Sequence, residues 1–197
     1  LPHGPIRIES ISMLRTARLV LRPLREADRT AWLTLVRASR EDLDLHAPLH
    51  EPGESDEALF ERQLRLTDQG EASGRAWRRA IVLEDGQIAG AVNINEIARG
   101  LESEGDMNWW LGPAFQGEGL ATEAVGSAVD YAFLGLPAGL GLHKLTASIK
   151  PGHARSERLA DRVGFEQSVA SGRVDQMRRA GGQWASHDLY RILPVGA

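Results

Sequence analysis

Gly117 and Gly119 mark the stretch of this 197-residue chain whose residue types and spacing best suit chemistry. A strand-like aromatic run over residues 106–111 enters a Gly/Pro loop, residues 112–119, which opens directly into a helical pattern. The first N–H groups of a helix have no partner inside it and lie at the positive end of its dipole. Glycines let a ligand approach those donors closely. The pattern predicts a backbone site for a phosphate or pyrophosphate; the competing interpretation is two glycines that serve only the turn.

Two other phosphate-binding loops do not fit this stretch. A P-loop requires Gly-Lys-Ser/Thr, which is absent here. A dinucleotide fingerprint requires GxGxxG in the first strand–helix unit of the chain. Here Gly117-x-Gly119 is followed by Thr122 and lies past the middle of the chain.

At these residues the chain resembles the acyl-CoA motif of the GCN5-related N-acetyltransferase (GNAT) superfamily. The matching motif is Leu111-Gly112-Pro113-x-x-Gln116-Gly117-x-Gly119-x-Ala121-Thr122-Glu123-Ala124. The chain is most similar to the RimJ/RimL-like branch of ribosomal-protein N-terminal acetyltransferases. Residues 16–23 resemble the opening strand of that branch, Val163-Gly164-Phe165 the end of its fourth helix, and residues 184–193 its closing strand.

The resemblance implies an α+β protein with the GNAT-like acyl-CoA N-acyltransferase fold, a mixed, mostly antiparallel central sheet flanked by helices. Hydrophobic periodicity and turn residues place the elements independently. We expect strands at 18–24, 77–83, 87–97, 105–111, 144–149, 165–173 and 184–192, and helices at 28–38, from 55 or 56 onward, at 119–134 and at 154–163. We expect a single domain over residues 15–195, after an N-terminal tail over residues 1–14.

The composition of the chain argues against several classes of protein, of intermediate and of partner. Hydrophobic residues make up 42% and charged residues 25% of the chain, which is typical of a globular domain. No apolar run is long enough to span a bilayer and no secretory signal is evident, so we expect a cytoplasmic protein. The absence of cysteine excludes an acyl-thioester on the protein. A net charge of −4 and no basic stripe argue against nucleic acid as a partner.

The resemblance implies acetyl-CoA as the acyl donor, with no metal. The residues expected to contact it are Trp109, Trp110, Leu111, Gln116, Gly117, Glu118, Gly119, Leu120, Ala121, Thr122, His153, Arg155 and Ser156. Because Trp109 and Trp110 alternate along a strand, one should lie in the core and the other beside the acyl or acceptor pocket. Lys150, His153, Arg155 and Arg158 form a basic cluster for the ribose phosphate, or else a solvated helix face.

Direct transfer to an amine requires a neutral amine, a stabilised oxyanion and a protonated leaving thiolate. The resemblance implies the Leu111 N–H as the oxyanion donor and the Ser156 hydroxyl as the proton source; a helix-start serine that only bonds backbone is the alternative. Asp106 is the candidate base, acting through water, or else a solvated carboxylate. The chain carries His153 where the branch often has Asn, and Ser168 and Ser186 where many relatives carry carboxylates.

The acceptor side contains a run of acids. Residues 41–61 include eight aspartates and glutamates and no lysine or arginine. An acidic wall of the acceptor cleft would attract a cationic amine or a basic protein N-terminus, whereas helix-capping acids on a hydrated loop are the alternative. His46 and His50 lie in the same run, without a third metal ligand. A non-catalytic acyl-CoA-binding module stays open as a second function, and so does a homodimer.

Overall fold

The computed structural model describes residues 7–10, 13–168, 173–178 and 184–194 of the chain. Within them, ten strands form one sheet: β1 (Arg7–Ser10), β2 (Met13–Arg15), β3 (Leu19–Arg22), β4 (Trp77–Leu83), β5 (Ile88–Ala98), β6 (Glu104–Leu111), β7 (Lys144–Ile149), β8 (Glu166–Gln167), β9 (Arg173–Arg178) and β10 (Trp184–Ile192). The α-helices are α1 (Arg29–Ala38), α2 (Arg40–His46), α3 (Asp56–Ser73), α4 (Leu120–Phe133) and α5 (Ala154–Val163). Short 3-10 turns occupy Glu26–Asp28 and Pro113–Phe115.

The strands lie in the order β1-β2-β3-β4-β5-β6-β7-β10-β8, and β9 pairs with the other part of β10. Neighbours are antiparallel except β6 and β7, which are parallel. This mixed, mostly antiparallel sheet flanked by helices confirms the predicted α+β fold. In the part of the chain that the structure describes, no helix is both long and apolar enough to cross a membrane.

The parallel pairing of β6 and β7 ends early. Glu104, Gly105 and Asp106 pair with Lys144, Leu145 and Thr146, and the ladder stops there. Beyond that point β6 stays paired with β5 as far as Leu111, while β7 stays paired with β10 through Ile149. Each strand therefore follows its own half of the sheet, and a gap opens between them. The gap lies at the carboxyl ends of two parallel strands, where open α/β sheets bind ligands.

Side chains of β6 alternate between two helical layers. Met107, Trp109 and Leu111 pack in the cluster that includes α4 and α5, while Trp110 packs in the cluster that includes α1 and α3. Trp110 is 8% exposed, and Trp109 is partly buried beside Phe165. The buried core tryptophan left open by the sequence is therefore Trp110.

Three segments differ from the predicted layout. The predicted tail, residues 1–14, contains β1 and reaches into β2, two short strands that continue the sheet beyond β3. The predicted strand at 165–173 is divided between β8 and β9, both paired with β10. Helix α2 was not predicted, because its short sequence buries Leu43 but lacks an apolar period. Contacts with α5, described below, hold it in place.

Candidate active site

The glycines before α4 adopt backbone angles that only glycine tolerates well. Gly117 has φ of +88° and Gly119 has φ of +79°. A Cβ placed on Gly117 would meet no atom within 4 Å, and one on Gly119 would approach only Arg18 Nη2, at 3.7 Å. The absent side chains therefore leave open space in front of the helix.

The backbone donors at this helix start face that space. We call residues 117–122 the cradle. Within the described residues, no backbone acceptor bonds the N–H groups of the cradle, whereas the next one, Glu123 N–H, donates to Gly119 O at 3.0 Å. Free N–H groups at the positive end of a 14-residue helix fit an anion of the pyrophosphate class.

Charged hydrogen bonds tie the cradle and the start of α4 to the turn that precedes β3. The buried Glu123 carboxylate accepts hydrogen bonds from Thr16 Oγ1 (2.6 Å), Arg18 N–H (2.8 Å) and Arg18 Nε (2.7 Å). Arg18 Nη1 also donates to Glu118 O at 3.0 Å. Burial raises the pKa of Glu123, but the bonds from Thr16 and Arg18 outweigh it and lower that pKa overall, so the carboxylate stays charged. The sequence reasoning quoted these residues in the resemblance but gave them no role.

The Leu111 N–H points into the gap between β6 and β7. Gly112 N–H donates to Ala89 O at 2.8 Å, and antiparallel ladders alternate the direction of their N–H groups. Leu111, one residue earlier, must then point away from β5, toward the side that β7 has left. Its carbonyl follows the same side, where Gln116 Nε2 donates to it at 3.0 Å. This orientation is the one that the predicted oxyanion donor requires.

A cavity of about 400 Å³, here the cradle cavity, extends from the cradle to the gap. It gathers every predicted acetyl-CoA contact except Glu118: Trp109, Trp110, Leu111, Gln116, Gly117, Gly119, Leu120, Ala121, Thr122, His153, Arg155 and Ser156. The Glu118 side chain is exposed and lies outside this lining, with its carbonyl engaged by Arg18. Arg158 and Arg162 also line the cavity, so cationic side chains stand opposite the cradle.

Helix α2 lies against the start of α5, across the gap. Arg155 Nη2 bonds Asp42 Oδ1 at 2.6 Å, and Arg155 Nη1 donates to Gln116 Oε1. The His46 and His153 rings stack with centroids 3.8 Å apart and planes 5° apart. Arg155 therefore joins α2, α5 and the loop before the cradle, rather than standing free for a phosphate.

A second cavity of about 310 Å³, here the sheet cavity, lies over β4 to β7 beneath α2 and α3. The two cavities share the following wall residues: His46, Ala47, Trp109, Trp110, His153 and Ser156. Ser156 thus borders both cavities. Burial, with His46 and Arg155 nearby, lowers the pKa of His153 to about 4, so its ring is neutral at neutral pH.

Asp106 lies apart from this shared wall and is among the lining residues of neither cavity. It sits where the parallel ladder ends and accepts a hydrogen bond from Thr146 Oγ1 at 3.2 Å. Burial raises the pKa of Asp106 to about 6, with a smaller contribution from Glu96, against the lowering effect of Thr146. A path from the cavities to this carboxylate would need a relay.

Most carboxylates of residues 41–61 are engaged in ion pairs. The pairs are Asp42–Arg155, Asp44–Arg40, Glu54–Arg62, Asp56–Arg37, Glu57–Arg37 and Glu61–Arg29. None of these acids lines the sheet cavity; Asp42 lines the cradle cavity. The segment borders the sheet cavity with His46 and apolar side chains instead, and the predicted acidic wall does not form there.

Several known proteins resemble this chain in sequence and in fold. The pattern of the family described as Acetyltransferase (GNAT) domain matches residues 18–166. A probable N-acetyltransferase of Bacillus subtilis, YjcK, is 32% identical over 110 residues, which are 55% of this chain and 56% of that protein. The ribosomal protein uS5-alanine N-acetyltransferase of Escherichia coli is 25% identical over 177 residues, 89% of this chain and 88% of that one.

A solved structure of Mycobacterium smegmatis RimJ in complex with CoA-disulfide has a TM-score of 0.78 to this chain. It covers 97% of this chain and 86% of its own, at 23% identity. These matches confirm the predicted resemblance to the RimJ/RimL-like branch.

A methyl group on Gly117 should weaken CoA binding. Gly117→Ala adds strain at a positive φ, about 1 kcal/mol, and places a Cβ over the cradle. Gly86→Ala is the matched control, because Gly86 has the same φ of +88° and equally open surroundings in the β4–β5 turn. We expect similar unfolding free energies for both variants, with CoA affinity by calorimetry reduced roughly tenfold in Gly117→Ala alone. Equal CoA affinities in the two variants would contradict the binding of CoA at the cradle.

Asp106→Asn should abolish a decrease in the free energy of unfolding that the parent protein shows as the pH rises. The folded-state pKa of Asp106, about 6, lies above the ordinary 3.8, so its favourable contribution is complete below pH 4 and lost as the pH rises through 6. The free energy of unfolding of the parent should therefore fall relative to Asp106→Asn by about 2.4 kcal/mol between pH 4 and 7. Urea titrations at both pH values measure it, with exposed Asp68→Asn as the control. A pH-independent difference would contradict the buried carboxyl.

Proposed function

The chain belongs to the acetyltransferase (GNAT) domain family, and on that premise we propose that it transfers an acetyl group from acetyl-CoA to a primary amine. Transfer does not pass through a thioester on the protein, because the chain has no cysteine. The proposal rests above all on one observation: the cradle cavity and the sheet cavity meet at a shared wall that contains Ser156.

The residues of the chain suit the requirements of this reaction. The cradle N–H groups bind the pyrophosphate, which directs the thioester toward the gap beside Leu111. The amine nitrogen, entering from the sheet cavity, attacks the thioester carbonyl carbon, and the Leu111 N–H stabilises the oxyanion. The C–S bond then breaks, the nitrogen gives a proton to water, and the thiolate gains one from the Ser156 hydroxyl, which water reprotonates.

The acceptor that the relatives support is a protein N-terminal α-amine. This support comes from the Escherichia coli relative, which is named for the alanine of a ribosomal protein. The sequence also suggested a small cationic amine, because residues 41–61 are acidic. That reason is weakened, because most of these carboxylates bond arginines and none lines the sheet cavity.

A non-catalytic acyl-CoA-binding module is the second candidate, and specific observations favour it. Asp106 lies outside both cavities, and His153 has a pKa of about 4, which makes it a weak base. Among the described residues, the sheet cavity contains no carboxylate that could accept the proton of the amine. A module would bind acetyl-CoA without consuming it.

Thiol release separates the two functions. Incubation of the protein with acetyl-CoA and a panel of primary amines and N-terminal peptides should release CoA thiol at a rate that depends on the amine. The acetylated amine, identified by mass spectrometry, should appear in equal amount. Tight acetyl-CoA binding by calorimetry together with no amine-dependent thiol would support the module instead.

Ser156→Ala should lower kcat by roughly tenfold or more, because the thiolate would leave without its proton donor. The KM for acetyl-CoA should stay within about twofold, since the cradle is intact. Ser73→Ala is the control: it removes a hydroxyl at the end of α3, where Ser73 bonds only local backbone. An unchanged kcat in Ser156→Ala would remove this hydroxyl from the mechanism.

A further inference from the structure

Cations line the sheet cavity without matching carboxylates. Arg62, Arg78 and Lys150 all border it, and no aspartate or glutamate of the described residues does. Arg62 is neutralised from outside the cavity, because its Nε and Nη2 each donate to Glu54, at 2.7 Å. Lys150 Nζ donates to Leu45 O at 3.2 Å. Arg78, unlike Arg62, has no carboxylate partner among the described residues.

Arg78 is a partly buried guanidinium that bonds two side-chain amide oxygens. Its Nη2 donates to Gln63 Oε1 at 2.6 Å and its Nη1 donates to Asn95 Oδ1. Burial, together with the neighbouring cation Arg62, lowers the pKa of Arg78 to about 10, so it keeps its charge at neutral pH. A guanidinium carries five N–H donors, so donors remain beyond these two bonds. Burying such a charge without an anion is costly.

The next residue on the same strand illustrates the difference. The Arg79 side chain is 1% exposed and pairs with Glu71 Oε1 at 2.8 Å, with its guanidinium 4.7 Å from the Trp77 ring. Here the chain supplies a carboxylate to a buried arginine with a structural role. Arg78 receives none from the described residues. Asp106, which pairs with Asn95 across β5 and β6, bonds Thr146 instead.

Arg78 is also aligned with the reaction centre. Arg78 pairs with Asn93, and Asn93 pairs with Asn108, so the three residues form one row across β4, β5 and β6 on one face of the sheet. Asn93 Nδ2 donates to Asn108 Oδ1 at 3.0 Å. Adjacent strands lie about 4.8 Å apart, so the backbone of Arg78 is about 10 Å from β6. The row ends at Asn108, beside the gap and three residues before Leu111 on the same strand.

We propose that the acceptor is a primary amine that also carries a carboxylate, and that Arg78 binds this carboxylate while the amine reaches the gap. The inference rests on the proposed acetyl transfer and names its substrate class. A planar guanidinium with free N–H donors binds a carboxylate through two parallel hydrogen bonds, which fixes the orientation of the acceptor. The carboxylate of the acceptor would neutralise the charge of Arg78, whereas a polyamine would add another cation beside it.

Two sources supply this chemistry: a free amino acid, and a protein N-terminus with an acidic side chain close to the α-amine. The test compares acceptors that differ only at the carboxylate. One arm pairs free α-amino acids with their carboxamides. The other pairs C-terminally amidated peptides that have Asp or Glu at position 2 with peptides that have Asn or Gln there. The measurement is kcat/KM for each acceptor at saturating acetyl-CoA.

We expect the carboxylate member of one arm to exceed its amide by about tenfold or more. Arg78→Gln should bring that ratio close to one by raising the acceptor KM, with the KM for acetyl-CoA unchanged. Arg78→Lys, which keeps the charge but not the planar fork, should restore part of the ratio. Arg65→Gln makes the same charge change at an exposed position of α3 and should leave the ratio unchanged.

The acceptor pairs test the proposal on the parent protein even if Arg78→Gln fails to fold. Equal rates within both arms, a preference for polyamines, or an equal loss for all acceptors in a folded Arg78→Gln would overturn it. In each of those cases acetyl transfer still occurs, so the proposed function survives. No amine-dependent thiol release from acetyl-CoA with any acceptor would overturn both.

Discussion

The early end of the pairing between β6 and β7 is the constraint on which the rest of the structure depends. Because each strand is paired on its outer side, with β5 and with β10, the two can separate without leaving the sheet. Both strands lead into helices, β6 into α4 and β7 into α5. The N-termini of α4 and α5 therefore lie beside one gap, and their dipoles favour the negative charge of a pyrophosphate and of a departing thiolate.

The sequence predicted what is local. The strand, the glycine loop and the helix at 119–134 follow from periodicity and from the angles that Gly117 and Gly119 permit. Period-two alternation placed Trp109 and Trp110 on opposite faces, but the core residue depended on which helices cover each face. The tie between Arg18 and Glu123 joins residues 105 positions apart, and no local pattern reports such a contact. The family resemblance includes both residues but does not predict that they bond each other.

Charge is the clearest example of information that the sequence cannot give. Residues 41–61 contain eight acids, and their sum suggested an acidic cleft. In the fold, arginines from α1, α3 and α5 pair with most of them: Arg37 with Asp56, Arg62 with Glu54 and Arg155 with Asp42. The field inside a cavity depends on the charges that remain unpaired and desolvated. That balance is set by tertiary pairing, and here it leaves Arg78 without a carboxylate partner among the described residues.

The charge of the sheet-cavity lining also affects how an acceptor amine could lose its proton. A primary amine in water is mostly protonated at neutral pH and must lose a proton before it attacks. Cations nearby disfavour the ammonium form, and Lys150, which lines the sheet cavity, would act in this direction on an amine bound there. His153, kept neutral by burial and by its stacked partner His46, adds no positive charge to this lining. In the proposed reaction water would take the proton of the amine, because the buried carboxyl of Asp106 lies outside both cavities.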